Sequence, residues 1–390
     1  MVINKKTDDH WAFLGIYMKK IFLISISFVY AILTFAQFNG DGYYRIRNVG
    51  SKRYITITDD KGSVNIGSMS ADLGAVKLLR SFENIVSNPG SVLYVNEVNG
   101  QYRFESQGTD THKIIGYDLK LKKNSDGSYK AYQEDGMRLY LCDARIEDTE
   151  EGVLSTHSES NNFRDWEIIP VSSENENYFG ITPEFAHDNF YYCTTYTSFA
   201  MTPASAGITA YYISKVDNNI AVLTEIKGNA IPTATPIIIK TLSTEPAENK
   251  MEILMQSPKS ISGNQLGGVY FHNTSKAHRN LTPYNPETMR VFGITSNNKL
   301  GFIKTEIENL PANKAYLKVP AGSPDELEIM TKDEYESYLS SINGVLDDEE
   351  QTKVYSLQGI PVATSQDRKN NLQGLPKGIY IVNGRKVIVR

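Results

Sequence analysis

Few residues in this chain have the type and spacing that enzymatic or metal chemistry requires. After residue 37 the histidines are His112, His157, His187, His272 and His278, and they form no His-x-His or His-Glu-x-x-His motif. The chain also lacks a Cys-x-x-Cys pair and the Gly-x-Ser-x-Gly turn that presents a serine nucleophile in α/β hydrolases. We therefore predict no metal ligands, no cofactor and no catalytic residues.

Carboxyl groups and tyrosines leave two other kinds of site open. A glycosidase needs only two carboxyl groups about 5–10 Å apart, and the chain has 45 aspartates and glutamates. Its 24 tyrosines suit saccharide binding, because a flat ring stacks on sugar C–H groups while the hydroxyl forms hydrogen bonds. Packing inside β-sheets is nevertheless the commoner fate of a tyrosine.

Composition excludes one class of partner and indicates the fold class. The net charge is −5, and no dense block of lysine and arginine is present, so nucleic acid is not expected as a partner. Tyrosine and phenylalanine are abundant beside only two tryptophans and two cysteines, which favours strands over helices. A chain of 390 residues is long enough for two or three domains.

The first 37 residues resemble a targeting segment. Met18-Lys19-Lys20 is followed by sixteen uncharged residues, 21–36, that end in Thr-Phe-Ala. This pattern predicts a secretory signal peptide at 18–36, with residues 1–17 upstream of the true start. A membrane anchor is the alternative, but sixteen residues are fewer than the roughly 20 that span a bilayer. Cleavage would leave 353 residues with a charge of −7 and no transmembrane span.

Export bears on the two cysteines. Cys142 and Cys193 lie 51 residues apart in a chain that we expect to reach an oxidising compartment. A disulfide between them is therefore allowed, although two cysteines do not form a disulfide framework.

Residues 38–172 carry the alternation of antiparallel strands. Runs such as Tyr43–Arg47 and Arg53–Ile57 alternate in polarity and are separated by Gly, Asn and Asp. Residues 102–105 repeat the pattern of residues 44–47, and the region ends in a strand that contains Trp166. These features resemble a ricin-type β-trefoil, whose lobes open with such a strand and end on a buried tryptophan.

The trefoil resemblance implies lectin-like sugar binding and supplies two candidate residues. Arg164 stands where the family has the glutamine of its Gln-x-Trp motif. In the first lobe Thr56 replaces the sugar-binding aspartate, whereas Asp143 lies about one residue from that position in the third lobe. Asp143 and Arg164 are therefore the candidate ligand-binding residues.

Residues 178–330 contain an internal duplication with units at 210–240 and 290–319. Asn218-Asn219 recurs 79 residues later as Asn297-Asn298, and Pro232 recurs at the same offset as Pro311. Each unit reads as a hairpin turned at asparagines, a proline-bounded loop and a third strand. We predict two similar β-units that pack face to face or edge to edge, and similar pairs occur in secreted proteins of bacteria with type IX secretion.

One helix and an acidic linker are predicted at 331–350. Thr331 and Glu334 have capping-box spacing, Tyr335, Tyr338, Leu339 and Ile342 share one helical face, and Gly344 is placed to end the helix. We expect the apolar face to pack on the β-domain. Residues 347–350, all acidic, indicate a solvated linker.

The last segment, 354–390, predicts a β-hairpin. Two alternating runs, 378–382 and 385–389, flank Asn383-Gly384, the strongest short hairpin signal. With Tyr355-x-Leu-x-Gly359 upstream, the segment resembles a type IX secretion C-terminal sorting domain. That resemblance implies contact with the secretion machinery and a place at the outer surface of a Gram-negative bacterium, or release from it. The alternative is that these strands complete the preceding sheet.

Together these patterns predict a mainly β protein with a trefoil-like domain, a duplicated antiparallel β-domain, one short helix and a C-terminal hairpin segment. We expect an exported, non-catalytic surface protein that recognises a glycan or a host or matrix protein. A carbohydrate-active enzyme or its accessory subunit, and a purely structural adhesin, are the alternatives.

Overall fold

A computed structural model confirms the mainly β fold, with 49% of residues in strands and 6% in helices. It describes residues 38–57, 76–106, 112–113, 118–145, 147–157, 163–269, 282–348, 352–357, 359–365, 375–382 and 385–389. The predicted signal peptide, the acidic residues 349–350 and the Asn383-Gly384 turn lie outside the described residues.

Within its described residues, the first β-region contains twelve strands in one hydrogen-bonded network. They are β1 (Gly42–Asn48), β2 (Tyr54–Ile57), β3 (Val76–Leu79), β4 (Leu93–Val98), β5 (Gln101–Ser106), β6 (His112–Lys113), β7 (Lys120–Lys123), β8 (Tyr129–Asp135), β9 (Met137–Asp143), β10 (Glu151–Gly152), β11 (Leu154–His157) and β12 (Asp165–Pro170). A short helix, α1 (Phe82–Ile85), and a 3-10 turn at Pro89–Ser91 precede β4.

Six of these strands close a ring. Antiparallel pairing joins β1 to β4, β4 to β5, β7 to β8, β8 to β12 and β12 back to β1. Backbone hydrogen bonds of 2.6 and 2.8 Å between Tyr102 and Leu119 join β5 to the start of β7. The pairs β2–β3 and β9–β11 extend from the ring, as does β6 beside β5. The first and third lobes each consist of a ring strand, a projecting pair and a second ring strand, and the described part of the second lobe has β5, β6 and β7 in the same order. We call this region trefoil-like, after the predicted resemblance.

Phe38 reveals the three-fold repeat of this ring. Its ring centroid lies 5.2 Å from that of Tyr44, 5.4 Å from Tyr102 and 5.8 Å from Tyr129, each with an edge-to-face geometry. These tyrosines open the first, second and third lobes, and each is followed by a basic residue and then an apolar one. Trp166, on the last ring strand, is fully buried as predicted, and its indole N–H donates to the carbonyl of Leu141 at 3.0 Å.

The part of the second β-region that the structure describes contains thirteen strands. They are β13 (Phe179–Gly180), β14 (Phe185–His187), β15 (Phe190–Thr195), β16 (Ala200–Pro203), β17 (Thr209–Asp217), β18 (Ile220–Glu225), β19 (Ile237–Thr241), β20 (Lys250–Leu254), β21 (Leu266–Gly268), β22 (Met289–Ile294), β23 (Leu300–Ile303), β24 (Ala315–Lys318) and β25 (Glu326–Thr331). Strands β13, β20 and β16 form a small sheet, and the other ten form one large sheet.

In the large sheet, the strands of the two duplicated units follow mirrored orders on either side of β25. Its order is β14-β15-β19-β17-β18-β25-β23-β22-β24-β21, so each unit has a hairpin, a third strand beside the hairpin's first strand, and an outer fourth strand. The fourth strands, β15 and β21, precede the repeats that the sequence indicated. Strand β25 joins the units edge to edge, parallel to β18 and antiparallel to β23.

Left-handed backbone occurs in the hairpin turn and in the proline-bounded loop of both units. Asn218 and Asn298 have φ values of 53° and 58°, so an asparagine provides the left-handed residue of each hairpin. Two residues after the proline of each loop, Ala234 and Asn313 have φ values of 51° and 57°. Alanine has no side-chain group that relieves this conformation, so the first unit carries backbone strain that the second avoids.

The helix, α2 (Lys332–Asp348), begins with the predicted capping box. The carboxylate of Glu334 accepts from the Thr331 N–H and hydroxyl at 2.8 Å, and the Glu334 N–H donates to the Thr331 hydroxyl at 3.3 Å. Tyr335 packs on Ile220 and Val222 of β18. The helix does not end at Gly344 as predicted but continues to Asp348, because an interior glycine costs only about 1 kcal/mol and Val and Leu follow it.

The C-terminal segment forms its own sheet. Strands β26 (Thr352–Ser356), β27 (Pro361–Ser365), β28 (Gly378–Val382) and β29 (Arg385–Val389) pair in the order β27-β26-β28-β29. The predicted pairing of β28 with β29 is present, with Val382 opposite Arg385. These strands therefore do not complete the preceding ten-stranded sheet, as the alternative interpretation required.

Arg45 joins the trefoil-like region to the second β-region. Its side chain is fully buried. The guanidinium donates to five oxygen atoms, namely Ser91 Oγ, Asn177 Oδ1 and the carbonyls of Ile85, Val86 and Tyr178. Burial lowers the pKa of this guanidinium to about 9, so it remains protonated at neutral pH.

The equivalent basic residues of the other lobes behave differently. Arg103 pairs with Asp118 at 2.8 Å, and Lys130 pairs with Asp165. Register places both aspartates immediately before the residue that faces the lobe's opening tyrosine. In the first lobe that position is Val92, which is buried in the apolar core shared by the two β-regions. The first lobe therefore has no aspartate at this position, and its basic residue, Arg45, contacts the second β-region instead.

We expect Ala234→Asn to stabilise the fold. Asparagine adopts left-handed backbone more readily than alanine, so the free energy of unfolding should rise by about 0.5–1 kcal/mol. Urea unfolding of this variant and of Asn313→Ala, the reciprocal change in the second unit, measures the effect. An unchanged or lower midpoint for Ala234→Asn would contradict the assignment of strain to this residue.

We expect Arg45→Ala to lower the free energy of unfolding by about 3 kcal/mol, because several buried acceptors lose their donor. Arg103→Ala is the matched control, since it removes the equivalent side chain of the second lobe from a partly exposed ion pair. Its unfolding midpoint should stay close to that of the wild type. Equal effects of the two substitutions would show that the buried network does not stabilise the contact between the domains.

Candidate functional site

The sequence made Asp143 a candidate sugar-binding residue, but its side chain is not at the surface. It forms an ion pair with Arg53 at 2.7 Å, and both side chains are fully buried. Its second oxygen accepts from the backbone N–H groups of Arg145 and Val153 at 3.0 and 3.2 Å. Asp143 therefore holds β9 of the third lobe against β2 of the first, and a ligand cannot reach it without breaking the pair.

Arg164, the second candidate, does lie at the surface. Its guanidinium carbon is 4.8 Å from the centroid of the Tyr140 ring, a cation–π contact. It forms no ion pair within the described part of the chain. Its positive charge therefore faces solvent beside an aromatic ring.

Tyr140 belongs to a row of side chains that crosses four strands. Directly opposite residues on antiparallel strands point to the same face, and register pairs Lys120 with Tyr132, Tyr132 with Tyr140, and Tyr140 with His157. The Tyr132 and Tyr140 rings are 5.5 Å apart and inclined at 46°. Both tyrosines are partly exposed. Two adjacent rings thus form an aromatic strip on the outside of the third lobe.

A second arginine borders the strip at its other side. The guanidinium carbon of Arg138 lies 4.8 Å from the Tyr132 ring centroid. We call Tyr132, Tyr140, Arg138 and Arg164 the tyrosine–arginine surface. It presents ring carbons, two phenolic hydroxyls and two guanidinium groups, so it can contact apolar C–H groups and donate hydrogen bonds at the same place.

Glu134 fixes one side of this surface. Its carboxylate accepts from Lys120 at 2.7 Å and from Arg138 at 2.6 Å. Hydrogen bonds from Lys120 and then Arg138 lower the pKa of Glu134 to about 2. Because the folded pKa lies below the usual 4.5, the pairing is complete above about pH 4.5 and is lost as the pH falls towards 2. The position of Arg138 should therefore not change between pH 5 and 8.

The sequence singled out only one of these four residues. Tyr132, Arg138 and Tyr140 have no motif of their own, and their proximity depends on the turn at Gly136, which has a φ of 72° and sets the register of β8 on β9. The alternation of residues 129–143 was the available signal. It indicates strands, but it does not say which rings face solvent.

The two cysteines do not form the disulfide that the sequence allowed. Cys142 lies on β9 of the trefoil-like region, and Cys193 lies on β15 within the core that the two β-regions share. Both are buried. Burial raises the pKa of the Cys193 thiol to about 12, so this thiol stays protonated at physiological pH.

Within the described ranges, no group of three or more histidine, cysteine, aspartate or glutamate side chains could hold a metal ion. No helix in this part of the chain is long and apolar enough to cross a membrane.

Comparison with known proteins adds little to these observations. No protein-family model matches the chain, and no curated protein matches it. Among solved structures, 88% of the chain aligns with 47% of a mosquitocidal holotoxin, at 11% sequence identity and a TM-score of 0.24. The chain spans about half the length of that protein, and a likeness this weak carries no argument about function.

Proposed function

We propose that the chain is an exported, non-catalytic surface protein that recognises a glycan through the tyrosine–arginine surface of its trefoil-like region. The observation that carries this proposal is the pair of partly exposed rings, Tyr132 and Tyr140, between Arg138 and Arg164. Sugar rings offer C–H groups to aromatic carbons and hydroxyls to guanidinium donors. The surface supplies both in one patch.

The acidic groups support binding rather than catalysis. A general acid in glycoside hydrolysis needs a carboxyl group with a raised pKa. Four described carboxyl groups, Asp126, Glu134, Asp217 and Glu328, have a pKa that hydrogen bonds lower. These groups are held as carboxylates, which favours a structural role for them.

A host or matrix protein is the second candidate ligand, and the composition of the same surface favours it. Tyrosine and arginine are the residue types most enriched at the energetic centres of protein interfaces. Binding of a folded protein would extend beyond the two rings, because specific interfaces bury about 800 Å² on each partner. The two ligand classes therefore differ in the footprint that they protect.

Export and display are part of the proposal. The C-terminal strands form a sheet separate from the others, with Val354 and Tyr380 buried and Leu357, Ile360 and Ile388 exposed. A separate module with exposed apolar side chains suits recognition by secretion machinery, as the sorting-domain resemblance implies. We propose that this segment directs the chain to the outer surface.

We expect residues 38–390 to bind members of a glycan array. Tyr132→Ala and Tyr140→Ala should each weaken binding of the best glycan at least about tenfold, because each removes a ring that stacks on the sugar. The carboxylate of Glu134 is ionised at both pH 5 and pH 8, so its titration should not change the glycan affinity that calorimetry measures at these two pH values.

Tyr338→Ala is the control, since Tyr338 is exposed on α2, away from the trefoil-like region. It should leave glycan affinity unchanged. Absence of any glycan ligand, combined with capture of a host protein that the tyrosine substitutions abolish, would replace the glycan by a protein partner. Binding of neither would contradict the assignment of recognition to this surface.

We expect deletion of residues 354–390 to leave the protein in the periplasm. Because the deleted strands pair mainly with one another, the remaining sheets should keep their unfolding midpoint. Cell fractionation and surface labelling of a type IX-competent host measure the location. Normal surface display of the truncated chain would contradict a sorting role.

A further inference from the structure

An apolar cavity of about 200 Å³ lies between the second unit of the duplicated region and residues on or beside strands β14 and β15. Its walls are mainly hydrophobic side chains, among them Phe185, Val269, Val291, Phe292, Leu310 and Tyr316. Well-packed interiors contain few voids larger than a water molecule, and an apolar cavity of about 150 Å³ can bind benzene. This cavity is therefore large enough for a benzene-sized or branched alkyl group.

A single ion pair borders the cavity. The ammonium of Lys314 lies 2.6 Å from a carboxylate oxygen of Glu184, and each side chain is about one-third exposed. Within the described residues, the second oxygen of Glu184 and the remaining N–H groups of Lys314 have no other partner. The cavity thus combines an apolar wall with one acceptor and one donor of full charge.

The corresponding loop of the first unit lies in different surroundings. Its proline-bounded loop places Ile231 in the core shared with the trefoil-like region, together with Val92 and Phe199. In the second unit the corresponding Leu310 lies in a small cluster with Val269 and Tyr284. One copy of the loop is therefore covered by another domain, whereas the other copy faces the cavity.

We propose that this cavity binds a free apolar α-amino acid. The side chain of the ligand occupies the apolar space, its carboxylate accepts from Lys314, and its ammonium donates to Glu184. A ligand with only a carboxylate would offer Glu184 no positively charged group, and a ligand with only an ammonium would offer Lys314 no negatively charged group. A zwitterion with an apolar side chain complements all three parts of the site, and this inference does not depend on glycan binding.

L-Phenylalanine is the probe, and residues 38–390 are titrated with it by calorimetry or ligand-observed NMR. For a ligand of this size we expect a Kd on the order of 1 mM. Phenylacetate lacks the ammonium, phenethylamine lacks the carboxylate, and glycine lacks the side chain. Each of these analogues should bind at least about tenfold more weakly, because each leaves one part of the site unmatched.

Single substitutions assign each part of the site. Glu184→Gln should reduce phenylalanine affinity to that of phenylacetate, and Lys314→Met should reduce it to that of phenethylamine. Val291→Phe fills the apolar space and should abolish binding. Lys304→Met is the matched control, since Lys304 has similar exposure and pairs with Asp325 in the same β-region. It should leave the affinity unchanged.

Three results would overturn the proposal. The first is no phenylalanine binding up to about 10 mM, and the second is an analogue that binds as tightly as phenylalanine. The third is an unchanged affinity after substitution of Glu184 or Lys314. If Val291→Phe does not fold, the comparison of the four ligands decides the question alone.

Discussion

The buried guanidinium of Arg45 joins the two β-regions, and the five oxygen atoms that it donates to include no carboxylate. Arg45 stays charged inside the protein because five oxygen atoms from two chain segments surround it. Those oxygens come from residues 85–91 of the first β-region and from residues 177–178, which begin the second. The relative position of the two regions is therefore fixed by hydrogen-bond geometry, which is directional, as well as by the apolar core beside it.

Much of the remaining architecture is repeated within each β-region. Some equivalent positions of the repeats nevertheless differ in residue type or in partner. Arg103 and Lys130 keep the aspartate partners that Arg45 lacks. In the second β-region, Asn313 keeps a left-handed residue unstrained where Ala234 does not. In the first case Arg45 contacts the second β-region while Arg103 and Lys130 remain partly exposed, so this departure follows from different surroundings of similar local structures.

Local patterns predicted the elements but not the contacts between distant ones. Alternation identified the ring strands and the buried Trp166, and the Thr331–Glu334 spacing identified the start of the helix. Asp143 was predicted to bind a ligand, and its burial could not be foreseen because its partner, Arg53, lies 90 residues away on another lobe. The proximity of Tyr132 and Tyr140 likewise depends on a register that strand periodicity does not report. The position of β25 between the two units could not be predicted, because the sequence of one strand does not indicate which strands lie beside it.

The closure of the ring has a consequence for the time that folding takes. Strand β1 pairs with β12, so that Arg47 meets Glu167, 120 residues later in the chain. Contacts between such distant positions form slowly, because most of the intervening chain must be ordered before they provide any stabilisation. For the export that we propose, slow closure of the ring would leave a newly made chain open when it reaches a translocation channel, so the topology itself would delay folding.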